Sequence, residues 1–102
     1  MILYNITVIV NHDIEVEFQE WAHRIFLPIL ANSEIFKSQA LLKVIDSPNE
    51  GETYSLQMIA AEAENIKQFQ ESHLALLHSK AQDVWANKIY LFESRMQYIT
   101  VL

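Results

Sequence analysis

Four histidines, thirteen carboxylates and a scatter of amides and hydroxyls are the polar chemistry available to this chain of 102 residues, which has no cysteine. His73 comes first among them, four residues after Phe69 and four before Leu77 on the apolar stripe of a helical segment. An imidazole titrating near pH 6.5 suits general acid or base work once a pocket surrounds it. The plainer role is a hydrogen-bonded place in the core or at its edge. His23, in the stretch EWAHRIFLPIL, borders the stripe of an earlier helix and points outward between Ala22 and Arg24.

A second set lies on strands. Asn5 and Thr7 are two apart, as are Ser55 and Gln57, and residues two apart in a strand share a face. Glu93 and Arg95 of the last strand are candidates to join them. Such a cluster makes either a ligand site or a hydrogen-bonded interface. Tyr4, Tyr54, Trp21, Phe69 and Trp85 form an aromatic set that fills a core or lines an apolar pocket. The ligand-binding candidates are therefore Thr7, Ser55, Gln57, Tyr54 and Trp21, and the catalytic candidates are His73 and Asn5.

Other chemistries are excluded by composition and spacing. His73 and His78 are five apart and His12 and His23 eleven apart, so no pair has the four-residue spacing that converges on a metal from one helix face. A single glycine leaves no material for a phosphate-cradling loop or a dinucleotide fingerprint, and no cofactor site is expected. The net charge of −6, with its seven basic residues scattered, repels nucleic acid. The absence of cysteine is compatible with a reducing cytoplasm, the expected location. The opening MILYNITVIV is too short to span a bilayer and alternates, so it reads as a strand; no membrane association is expected.

The elements that must position these residues follow from periodicity. Ile2 to Val10 has period two with an apolar even face. A helix begins within NHDIEVE, with Asn11 or Asp13 as its cap, and buries Phe18, Trp21, Ala22, Ile25 and Ile29; it should kink or end near Pro28. IFKSQALLKVI and TYSLQMIAA are two more strands joined across DSPNEGE. From Glu64 to about Trp85 the positions Ile66, Phe69, His73, Leu76, Leu77, Lys80 and Val84 keep helical spacing, and IYLFESRMQYITVL is the fourth strand.

The order β-α-β-β-α-β predicts one α+β domain over residues 1–102, a ferredoxin-like fold with a four-stranded antiparallel sheet and both helices on one face. The opposite face would carry Leu3, Ile9, Leu41, Ile45, Ile59, Leu91 and Ile99, and a second copy of the chain is its simplest cover.

The segments MILYNITV, EW followed seven residues after Trp21 by PIL, GETYSLQ, ESH and LFESRMQYI together resemble domain-of-unknown-function family 4286, short proteins mostly of Bacteroidetes. The resemblance spans nearly the whole chain and implies a dimeric α+β barrel. It implies no activity. Two functions remain open: a homodimeric module binding a small apolar ligand or a partner without catalysis, or an enzyme similar to cofactor-independent monooxygenases or haem-degrading barrels, with Asn5 and His73 in one cleft.

Overall fold

The computed structural model describes all residues 1–102. Strand β1 (Ile2–Val10) leads through a 3-10 turn (His12–Ile14) into helix α1, residues 15–33. Strands β2 (Ser38–Lys43) and β3 (Glu52–Ala60) form a hairpin; helix α2 (Ala63–Ser72), helix α3 (Leu74–Ser79, extended by a π turn, Lys80–Val84) and strand β4 (Ile89–Gln97) follow. The four strands pair antiparallel in the order β2-β3-β1-β4. No helix is long and apolar enough to cross a membrane.

The helices cover one face of the sheet. Tyr4, Ile6, Val8 and Val10 of β1 and Tyr54, Leu56, Met58 and Ala60 of β3 are buried beneath them, which is the face the alternation assigns. The outer strands differ from expectation. Leu41 lies opposite Leu56 and Leu91 opposite Val8, so both point under the helices rather than to the open face. Ala40, Leu42, Tyr90, Phe92 and Met96 take the open positions instead. Ile45 and Ile99 lie beyond the strand ends.

Helix α1 corrects a second expectation. Its buried positions are Phe18, Ala22, Phe26 and Leu30, continuing Ile14 at strict intervals of four. In a regular α-helix a step of four drifts by ~40°, or roughly 160° over the four steps from Ile14 to Leu30, which would carry the stripe off the sheet. Between Glu15–Trp21 and Leu27–Ser33 the chain widens into a π turn, Ala22–Phe26, in which the Leu27 N–H donates to the Ala22 carbonyl. The extra residue in that turn takes up about 100° of the drift, most of it. Phe26 and Leu30 go inward, and the expected Ile25 and Ile29 go out. Pro28 does not end the helix: it lies in the first turn after the π segment, where the hydrogen-bond ladder is already shifted.

The helix ends differ too. No side-chain cap is made by Asn11, and Asp13 instead accepts from Lys88 Nζ at 2.7 Å. Ser33 serves the C-terminal turn, donating to the Leu30 carbonyl at 2.6 Å, and Glu34 closes it with a left-handed φ of 58°. The second helical region is interrupted at His73, where α2 ends and α3 begins.

Gly51 tightens the base of the β2–β3 hairpin. Its φ is +78°, and a Cβ there would stand 2.4 Å from the Val10 carbonyl oxygen. Gly51→Ala combines a left-handed backbone with a backbone clash and should cost at least about 2 kcal/mol in urea unfolding. A loss below about 0.5 kcal/mol would show that β1 and the hairpin are free to separate.

Candidate functional site

The structure distributes the candidate residues over three places. The first is the open sheet face. At its centre Asn5 is buried; its Nδ2 donates to Thr7 Oγ1 at 3.0 Å and to Ser94 Oγ at 3.3 Å, and its Oδ1 accepts from the Ser55 hydroxyl. Gln57 Nε2 donates to Ser55 Oγ at 3.1 Å. The grouping of Asn5, Thr7, Ser55 and Gln57 follows from parity along the two central strands. Glu93 and Arg95, expected to join them, face the helix side, because Glu93 pairs with Ile6 and Arg95 with Tyr4; Ser94 takes the place opposite Asn5. Around this polar centre lie Leu3, Ile9, Ile59, Leu42, Tyr90, Phe92 and Met96. No group in the centre titrates near neutrality, so it can hold a facing surface in register but cannot move protons.

The second place is a cleft of about 520 Å³ between α1 and the β2 edge, containing Tyr54. Gln19, His23 and Arg24 form the α1 wall and Leu41 and Lys43 the β2 wall. The Tyr54 phenol donates to Glu15 Oε2 at 2.6 Å and accepts from Gln19 Nε2. Lys43 Nζ lies 2.9 Å from Glu15 and 3.2 Å from Glu52. The Tyr54 hydrogen bond, helped by Lys43, holds the Glu15 carboxyl below the usual range. Burial, and then its hydrogen bond to Glu15, pushes the Tyr54 phenol up.

The pH consequence has a definite sign. Glu15 is more acidic folded than unfolded, so its contribution is present at neutral pH and lost as pH falls through its depressed folded value. The melting temperature should therefore drop on acidification from pH 7 towards pH 3, and Glu15→Gln should flatten part of that slope. A Gln variant whose acid slope matched the parent would discount this hydrogen bond.

The third place is a pocket of about 300 Å³ between α1 and α3. Both π turns border it: Ile25 and Phe26 from one, Lys80, Asp83 and Val84 from the other, with Trp21, Ile29 and Leu76 completing the apolar wall. Trp21 is thus a half-buried wall residue, not part of the closed core with Phe69. Leu76 and Val84, expected on the buried stripe, are exposed here, displaced by the break at His73 and the second π turn. The Lys80 ammonium sits over two indoles, 5.9 Å from Trp21 and 5.5 Å from Trp85.

His73 belongs to none of the three. Its ring stacks on Phe69 with centroids 6.4 Å apart, and its Nδ1 is 2.7 Å from Ser72 Oγ. It lies on the helix side of the sheet and the Asn5 side chain on the open side, so the two do not share a cleft. Near the β4 edge the Tyr4 hydroxyl donates to Glu93, which also accepts from Gln70 Nε2 at 3.1 Å. Burial first, and Glu93 second, drives the Tyr4 phenol far above its ordinary range. No three metal-ligating side chains converge in the structure.

Among curated proteins none matches the chain. Among solved structures, an ethyl tert-butyl ether D (EthD) family protein from Bacillus halodurans C-125 superposes with a TM-score of 0.65 at 12% identity, over 92% of this chain and 97% of the other. That likeness concerns the fold alone, a four-stranded antiparallel α+β sheet with its helices on one face. The sequence itself carries a more specific relation: the model of a domain of unknown function (DUF4286) matches residues 1–99, and the chain belongs to that family.

Proposed function

We propose that this protein is a homodimeric binding module: two copies, each a single domain, meet through their open sheet faces, and each holds a small apolar ligand between α1 and α3. The observation that carries this reading is the one-sided cover of the sheet. Helices bury one face, while the other leaves Phe92 58%, Tyr90 54% and Leu42 44% exposed around a hydrogen-bonded polar centre. Monomeric proteins seldom leave an apolar surface of that extent in water.

A second copy suits this surface because a two-fold axis sets the same patch against itself, apolar rim on rim and polar centre on centre. Binding rather than turnover is favoured because the sheet separates Asn5 from His73. The absence of cysteine fits work in a reducing cytoplasm.

Sedimentation equilibrium at tens of micromolar tests the reading. The expected mass is twice the 11.9 kDa of the chain. A mass of one chain would overturn it, since a stable pairing of this kind buries roughly 1,200–2,000 Å² and even a micromolar dissociation constant leaves it mostly dimeric at that concentration.

A further inference from the structure

We infer that the pocket between α1 and α3 takes a small carboxylic acid with an apolar body, its carboxylate on Lys80. The inference rests on the pocket assignment made above and names the class of ligand. Two observations carry it. The first is the lining: Trp21, Ile25, Phe26, Ile29, Leu76 and Val84 offer an apolar wall, opened where both helices widen into π turns. Turns of this kind recur at functional sites because they re-aim side chains and loosen the ladder.

The second is the charge at its mouth. The ion pairs of this acidic chain engage His12, Lys43 and Lys88, and not Lys80. The Lys80 ammonium rests instead on the faces of Trp21 and Trp85. Cation–π contact holds its position without neutralising it, so it stays available to an anion. A carboxylate reaching it gains a charge-assisted hydrogen bond while its tail covers the indole and isoleucine surface. Asp83 also lines the pocket, so the acid group must keep clear of it and lie against Lys80; Ser79, another lining residue, carries a hydroxyl that could serve as a second donor.

Size narrows the class further. The pocket holds about 300 Å³. At ~30 Å³ per water-sized unit, that admits roughly ten heavy atoms. Octanoate is of that size.

Titration of the intact protein with octanoate and with 1-octanol, read by tryptophan fluorescence, tests the inference. Trp21 and Trp85 are the only two tryptophans, and both face Lys80. Octanoate should bind more tightly than octanol, and Lys80→Met should weaken octanoate about tenfold, the worth of one charge-assisted hydrogen bond, while leaving octanol within about twofold. Retained octanol binding shows that the variant keeps its pocket.

Equal affinities for acid and alcohol, an octanoate affinity indifferent to Lys80→Met, or preference for the alcohol would overturn the carboxylate assignment and leave an apolar pocket standing. Failure of both ligands to bind the parent protein would overturn that assignment and the pocket itself.

Discussion

Phe92→Glu should convert the proposed dimer into monomers, raising its dissociation constant at least about a hundredfold, a loss near 3 kcal/mol. Phe92 lies mid-strand on β4, opposite Thr7, with more than half its surface exposed in the single chain. Its replacement removes little from the folded monomer, because surface changes away from packed or hydrogen-bonded features cost under about 0.5 kcal/mol. In the proposed dimer the same change would place two carboxylates, related by the two-fold axis, against an apolar surface. Each loses its water without gaining a partner, and the two repel. Circular dichroism should be unchanged while sedimentation reports a single chain. A Phe92→Glu protein that still sediments as a dimer would place the interface elsewhere, and Leu42→Glu, on the far edge strand of the same face, gives an independent check.

The legibility of this face in the sequence was uneven for a physical reason. On β1 and β3 the alternation is decisive, because both strands are central: an even face buried under helices stands against an odd face rich in Asn5, Thr7, Ser55 and Gln57. On the edge strands both parities are apolar. Leu41 and Leu42 are adjacent in β2, and Ile89, Tyr90, Leu91 and Phe92 run without a break in β4. Period two then has no phase, and a shift of one residue turns every side chain over. Only the hydrogen-bond register fixes it, setting Leu41 against Leu56 and Leu91 against Val8. The same ambiguity put Glu93 and Arg95 on the wrong side and hid Ser94. The pocket beside Lys80 had no sequence signal, because it arises between two helices nearly sixty residues apart and depends on turns that a 3.6-residue period cannot represent.

Helix α1 allows that failure of periodicity to be measured as stability. Phe69→Ala should destabilise the protein by about 3–5 kcal/mol, since the ring is fully buried and deleting a core phenylalanine removes its transfer energy and leaves a cavity. Its ring lies 5.6 Å from Tyr4, 5.5 Å from Phe36 and 6.4 Å from Phe26, so the loss reaches β1, α1 and the segment before β2 together. At roughly 4–8 °C per kcal/mol for a chain of this length, the melting temperature should fall by at least about 12 °C. Ile25→Ala is the informative companion. A regular helical stripe buries Ile25, which would make its truncation cost about 2–5 kcal/mol. With the π turn in place Ile25 is 49% exposed and Phe26 occupies the core beside Phe69. Ile25→Ala should then cost less than about 1 kcal/mol, and Phe26→Ala about as much as Phe69→Ala. If urea unfolding ranked Ile25→Ala with Phe69→Ala and found Phe26→Ala mild, α1 would be a regular helix in solution, and the pocket its wide turn opens beside Trp21 would not exist.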